Sequence, residues 1–205
     1  ILNIESKCAT SSSGGLIDIW DYLVYYNSDG INFFKNTIYG DHYSLKGNVT
    51  GAMVSPSAVY FVMDGNLYSF TFDEKEKLLC EDMDSFQKFL GMIGGKIYFE
   101  SLFYHSDTAE IQFISYDPQT GKQRQYFLEH GKGSVESMIA GNHLFYIGGK
   151  TDIGLTPLYE LNLETGESRK LDEYAMSMVF DASESLYYMS FETSDYRQSN
   201  MILKR

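Results

Sequence analysis

The feature that most constrains this chain is internal repetition. Five short runs of aliphatic and aromatic residues look alike: Leu23-Val24-Tyr25-Tyr26, Ala58-Val59-Tyr60-Phe61, Lys96-Ile97-Tyr98-Phe99, His143-Leu144-Phe145-Tyr146 and Ser185-Leu186-Tyr187-Tyr188. Aligned on the aliphatic residue at 24, 59, 97, 144 and 186, they are separated by 35, 38, 47 and 42 positions. A second short apolar segment precedes each run: Leu16-Ile17-Asp18-Ile19-Trp20, Gly51-Ala52-Met53-Val54, Leu90-Gly91-Met92-Ile93, Ser137-Met138-Ile139-Ala140 and Ser177-Met178-Val179-Phe180. A third strand-like segment follows, as in Asn66-Leu67-Tyr68-Ser69-Phe70 and Pro157-Leu158-Tyr159-Glu160-Leu161. Two repeats then share a turn, Asp117-Pro118-Gln119-Thr120-Gly121 and Asn162-Leu163-Glu164-Thr165-Gly166. In both, Asp or Asn can bond the backbone ahead and Gly supplies the positive φ that closes the hairpin. A polar segment such as Ser168-Arg169-Lys170-Leu171 ends the unit.

A four-strand unit recurring at this spacing predicts an all-β fold, a β-propeller of about five four-stranded blades. The expected organisation is a single domain over 1–205, with repeats at about 16–47, 48–84, 85–133, 134–174, and 175–205 plus 1–8. Small residues and Met suit an inner strand crowded near an axis, and a charged outermost strand blunts an exposed sheet edge. The 17 Tyr and 14 Phe point the same way, because flat, bulky side chains fit a pleated, half-buried surface. The last repeat stops at Leu203-Lys204-Arg205 after three strands, while Ile1–Lys7 belongs to no repeat. The N-terminal strand is therefore expected to complete the final blade and close the ring. The rival expectation is an open fragment of a longer, six- to eight-bladed propeller. No segment shows a sustained 3.6-residue apolar period with caps, and Asp82–Leu90 is the best candidate for a helical turn.

The recurring aliphatic-Tyr-Phe/Tyr, Leu-Tyr and Asp/Asn-x-x-Thr-Gly pattern resembles bacterial propellers of the low-density-lipoprotein-receptor-like (YWTD-like) group. The resemblance covers nearly the whole chain, although the Tyr-Trp-Thr-Asp signature is absent and the only tryptophan, Trp20, falls in a different strand. It implies the propeller architecture and a secreted or cell-envelope home. It implies no functional residues.

Composition narrows the function classes. The formal net charge of −12 opposes binding to a polyanion, so neither nucleic acid nor an anionic membrane surface is expected as a partner. No apolar run approaches the length needed to cross a bilayer, so direct membrane insertion is not expected either. The chain begins at Ile1 without Met or a signal segment, the start expected of a processed or trimmed product. Cys8 and Cys80 are too few for a disulfide framework and lack metal-site spacing, and free thiols or small core fillers are expected. Asn48-Val49-Thr50 matches a glycosylation sequon, a triplet common by chance.

Candidate chemistry is sparse. Five-bladed glycoside hydrolases resemble one another in using carboxylates from several inner strands, held across one bond at fixed separation. The inner-strand carboxylates here are Asp18, Asp21, Glu136 and Asp181, and Asp18 and Glu136 could share a channel face. The plain alternative is solvated or structurally bonded acids at strand ends. His42, His105, His130 and His143 fall at no ligand-like spacing, so no metal and no cofactor is expected. No Gly-x-Ser-x-Gly elbow occurs, and Gly94-Gly95 and Gly148-Gly149 read as tight turns without a following helix to hold phosphate. Repeat-register tyrosines read as core aromatics. Aromatics outside that register, including Trp20, Phe103 and Tyr104, are more suggestive, and the 101–109 and 149–156 connections account for the two longest spacings. Inserted loops on one face of a repeat scaffold commonly carry binding. The expected ligand-binding residues are thus Trp20, Phe103, Tyr104, His105, Asp18 and Glu136. The expected function is a non-catalytic binding or scaffolding propeller of a bacterial envelope or secreted protein, with a protein or carbohydrate ligand. The alternative is a carbohydrate-binding or glycoside-hydrolase-like five-bladed propeller.

Overall fold

The structure, a computed structural model, describes residues 2–3, 8–12, 15–19, 22–35, 40–105, 108–126, 128, 136–148, 156–181, 185–192 and 200–205. Every regular element among them is a β-strand. In chain order, β1 (Leu2–Asn3) and β2 (Cys8–Ser12) come first, followed by β3 (Gly15–Ile19), β4 (Tyr22–Asn27), β5 (Gly30–Lys35) and β6 (His42–Lys46). Next are β7 (Val49–Val54), β8 (Val59–Met63), β9 (Asn66–Thr71) and β10 (Lys75–Cys80), then β11 (Phe86–Ile93), β12 (Lys96–His105), β13 (Thr108–Tyr116) and β14 (Gln123–Tyr126). The chain ends with β15 (Glu136–Ala140), β16 (His143–Ile147), β17 (Thr156–Asn162), β18 (Ser168–Phe180), β19 (Leu186–Phe191) and β20 (Met201–Lys204).

The strands form four sheets, β3-β4-β5-β6, β11-β12-β13-β14, β1-β2-β7-β8-β9-β10 and β15-β16-β17-β18-β19-β20, with neighbours sequential except where β2 meets β7. All-β meanders of this kind follow from short apolar runs separated by turns that Asp, Asn and Gly close. Asp64-Gly65 and Gly94-Gly95 carry positive φ at both positions (50°, 72° and 55°, 78°), the geometry of a two-residue hairpin. The two related turns of the sequence have one structure. Asp117 Oδ1 accepts the Gln119 N–H at 2.9 Å, and Asn162 Oδ1 accepts the Glu164 N–H at 2.9 Å. The Gly121 and Gly166 N–H groups donate back to the Asp117 and Asn162 carbonyls, each at 2.8 Å.

Contacts divide the chain into two compact units, one of Ile1–Leu102 with Phe113–Gln125, the other of Phe103–Gln112 with Tyr126–Arg205. The repeat is visible in burial. Val24, Val59, Ile97 and Leu144 are fully buried, and so, two residues on, are Tyr26, Phe61, Phe99 and Tyr146. Leu186 and Tyr188 of the fifth run are only half-buried. In the first unit the core joins β3–β6 to β7–β9 through rings: Phe33 stacks on Phe70 with centroids 3.8 Å apart, and Phe61 lies 5.5 Å from Phe33. Burying such a ring stabilises by roughly 1.5–3 kcal/mol, and each ring pair adds about 0.5–1.5 kcal/mol. Polar tips then tie neighbouring repeats. Tyr43 donates to Glu76 at 2.6 Å, and Tyr116 donates to the Leu79 carbonyl at 2.6 Å. In the second unit the core gathers Ile147, Leu158, Ala175 and Met178, with Phe145, Leu186 and Tyr188 against them.

Three expectations change. Asp82–Leu90 is not helical: from Phe86 onward it is β11. Phe86, Phe89 and Leu90 are buried at a helix-like spacing because two irregularities, at 86–88 and 89–91, shift the register against β12. Each bulge inserts an extra residue and re-aims the next side chains, so a strand imitates the helical pattern. The 101–109 connection is not a loop, since β12 runs to His105 and β13 begins at Thr108. Within the segment 1–8 expected to complete the last blade, Leu2–Asn3 pairs with β2, and β2 in turn pairs with β7 of the second repeat, Ala9 opposite Val54 and Ser12 opposite Gly51.

β18 is shared between repeats. Its first half pairs with β17, Leu161 opposite Ser168, and its second half with β19, Phe180 opposite Leu186. Register shifts lie around Asp172 and Met176, where the strand passes from one partner to the other.

Candidate functional site

The bend in β18 forms an open cleft of about 390 Å³ lined by Lys170, Leu171, Asp172, Glu173, Tyr174, Phe191, Glu192 and Lys204. Asp172 is its anchor. Its side chain is 7% exposed, and one carboxylate oxygen accepts both the Lys204 ammonium at 2.6 Å and the Ser190 hydroxyl at 2.9 Å. The other oxygen accepts the Tyr174 N–H at 3.1 Å, which pins the bulge. Burial pushes the Asp172 carboxyl up, but Lys204, the Tyr174 N–H and the Ser190 hydroxyl outweigh it and hold it below the usual carboxylate range. The bond to Asp172 holds the Lys204 ammonium above its ordinary value. Burial, with the Asp172 charge behind it, pushes the Tyr188 phenol up. Lys170 pairs with Glu173 three residues on. Each ammonium in the cleft thus already faces a carboxylate, so the arrangement fixes strands and offers a polar, charge-balanced surface rather than a reactive acid or base.

A second polar row crosses the same sheet. Glu160, 10% exposed at its side chain, accepts His143 Nδ1 at 2.9 Å on one oxygen and Arg169 Nε on the other. These residues sit on three successive strands, β16, β17 and β18, so the row stitches them across one face. In the first unit Lys88 and Glu100 face each other across β11 and β12 at 3.3 Å, with the Glu100 side chain 4% exposed. A hydroxyl–imidazole pair also occurs there: Ser44 Oγ lies 2.8 Å from His42 Nε2 and donates to Asn32 Oδ1 at 2.8 Å. It lies exposed on β6, with His42 stacked on Phe34 of β5.

The residues picked from sequence fall on separate strands of the two units. Asp18 sits on β3 with its Cα opposite that of Leu23, in the first unit. Glu136 opens β15 in the second unit, where it is exposed and accepts the Met178 N–H at 3.3 Å, a strand-holding role. Asp181 likewise accepts the Ser185 N–H at 2.9 Å. Phe103, half-buried, and Tyr104, 76% exposed, end β12 with His105. Trp20, Asp21 and His130 lie outside the described residues. Sequence reasoning missed Asp172, Lys204 and Ser190, whose spacing carries no motif; only the polar break in the long 168–180 strand marked the place.

No protein family matches the sequence, and no curated protein matches it. By structure, the chain is similar to acylaminoacyl peptidase of Pyrococcus horikoshii, with a TM-score of 0.63 and 9% identity over 93% of this chain and 38% of that one. It is similar to a prolyl endopeptidase studied for inter-domain dynamics, with a TM-score of 0.52 and 14% identity over 85% of this chain and 29% of that one. It is also similar to a chain of a nidogen/laminin complex, with a TM-score of 0.51 and 12% identity over 88% of this chain and 74% of that one. The chain therefore spans about a third of the length of the peptidases it matches. At these identities the likeness establishes the fold alone: all-β and propeller-like, with a YWTD propeller among the neighbours. It overturns the expected envelope binding or scaffolding role and its carbohydrate alternative, because the neighbours at the head of the comparison are propeller domains of peptidases. The motifs behind that expectation were structural, and they carried the fold without the function.

Proposed function

We propose that this chain is the propeller-type module of a peptide-processing protein, handling oligopeptides in extended form while the hydrolytic step belongs to another part of that protein. The reading is carried by the likeness to acylaminoacyl peptidase over 93% of this chain. The charge-balanced cleft and the Glu160 row support it, since their ion pairs join strands and offer a polar surface. The five-repeat organisation belongs to the same proposal: β3–β6, β7–β10, β11–β14, β15 to the first half of β18, and the second half of β18 to β20.

The test is thermal melting of the chain with oligopeptides of eight to twelve residues and, in parallel, oligosaccharides, all at millimolar concentration. Binding to the native state raises the midpoint by mass action. A rise of a few degrees with peptides and none with saccharides is expected. A flat response to every peptide, or a rise with saccharides alone, overturns the reading.

A further inference from the structure

The first strand of a repeat lies at the end of its sheet in three of the four sheets, where β3, β11 and β15 each end the order. The second repeat differs. β7 carries β8 on one edge and, on the other, the added strand β2 with β1 beyond it. The pairing is antiparallel over Ala9–Val54, Thr10–Met53, Ser11–Ala52 and Ser12–Gly51. β2 also lies against β3 and β11, so it fills a slot bounded by the first strands of three repeats.

The slot is tight. Ala52, Met53 and Val54 are fully buried, and a Cβ on Gly51 would stand 2.8 Å from the Phe86 ring. The segment seated in it reads Cys8-Ala9-Thr10-Ser11-Ser12, with no large side chain. Such a strand has little apolar surface to bury, so main-chain hydrogen bonds along β7 hold it. Binding of that kind depends on an extended backbone and small side chains rather than on one sequence. We infer that the edge of β7 facing away from β8 is a strand-accepting site for an extended peptide of small and hydroxylated residues, occupied at rest by the chain's own Cys8–Ser12. The inference rests on the peptide-handling reading and gives it a place and a ligand class.

An occupant tethered in the same chain has an effective concentration on the order of millimolar. A free peptide then competes at millimolar concentration in the intact chain and binds at least about ten-fold more tightly once β2 is released. The release variant is Thr10→Pro with Ser11→Pro. Successive N–H groups alternate in direction along a strand, so the pair removes a donor towards β7 in either phase. The probe is a fluorescein-labelled peptide of the sequence of residues 1–12, against a scrambled peptide in which the small residues are replaced by Leu and Phe. Binding is read by anisotropy, and protection of the 49–54 amides by hydrogen exchange. The expected result is faster exchange of 49–54 in the variant, restored by the probe but not by the control, with at least ten-fold tighter binding than to the intact chain. Unchanged exchange in the variant, or lost protection that the probe does not restore, overturns the inference.

Should the variant fail to fold, the full chain with a protease site inserted after Ser12 is cut after folding. The labelled probe should then exchange into the cut protein, and its exclusion counts against the site. Peptides that raise the melting point without protecting 49–54 retire this site and leave peptide handling standing. No peptide binding in either the intact or the released chain retires both.

Discussion

Replacing Lys204 by Met isolates what holds the fifth repeat to β18. The change keeps the aliphatic stem and removes the ammonium that lies 2.6 Å from Asp172 Oδ2. Asp172, 7% exposed in the intact protein, then keeps the Ser190 hydroxyl and the Tyr174 N–H but faces no cation. A hydrogen bond to a charged group contributes about 1.5–3 kcal/mol, and the 40% exposure of Lys204 lowers that by solvent screening. The expected loss at pH 7 is therefore about 1–2 kcal/mol of the stability of the unit carrying β18–β20. The pH dependence has a definite sign. Asp172 is held below its ordinary value, so its contribution is fully present above the unfolded-state carboxylate pKa of about 3.9 and is lost as pH falls through the lower folded value. Without Lys204 the lowering force shrinks while burial persists, so the variant gives up less on acidification. The difference between the two proteins is largest at neutral pH and closes in acid. Urea denaturation followed by far-ultraviolet circular dichroism at pH 7 and near pH 3 measures both ends. The same change made in an Asp172→Asn background should cost far less, because the partner charge is gone. An equal difference at both pH values, or none at pH 7, would refute the reasoning.

Other substitutions probe the packing. Phe33→Ala removes a fully buried ring stacked on Phe70 and should cost about 3–5 kcal/mol in the same denaturation assay. Gly51→Ala and Gly121→Ala separate two kinds of cost. The first forces a Cβ to 2.8 Å from Phe86 and should disturb β7 and β11, visible as faster hydrogen exchange there. The second meets nothing within 4 Å and pays only for φ +70°, about 1–2 kcal/mol on denaturation. Burial pushes the Cys80 thiol up, partly offset by the Gln123 amide, so in a Cys8→Ser background it should react with Ellman's reagent at pH 8 more slowly than free cysteine.

The all-β, propeller-like fold was legible because one physical demand recurs. The second strand of four repeats buries an aliphatic residue and, two positions on, an aromatic one, and that pair stood in the sequence at 24 and 26, 59 and 61, 97 and 99, and 144 and 146. The turns at Asp117 and Asn162 were legible for the same reason, since side-chain capping of local amides leaves a fixed residue pattern. Bulges left no such pattern. Phe86, Phe89 and Leu90 looked helical because irregular pairing with β12 supplied a spacing that no regular strand has. The pairing of β2 with β7 was hidden too, because it depends on main-chain edges that any small-residue segment can satisfy. The polar anchor was invisible for a different reason: Ser190 and Lys204 lie 18 and 32 positions beyond Asp172 and meet it only once β18, β19 and β20 are paired. Of the acids chosen from sequence, Glu136 bonds the Met178 amide of β18 and Asp181 bonds the Ser185 amide four residues on.

The most direct test of the central claim, that this propeller-type module handles oligopeptides, is equilibrium dialysis against a mixed library of unmodified peptides. Mass spectrometry of the retained fraction is the readout, with the intact chain and the Thr10→Pro, Ser11→Pro variant run side by side. The account predicts retention of peptides by both, stronger in the variant and enriched there in Ala, Ser and Thr. Retained fractions with the composition of the starting library, from both proteins, would contradict it.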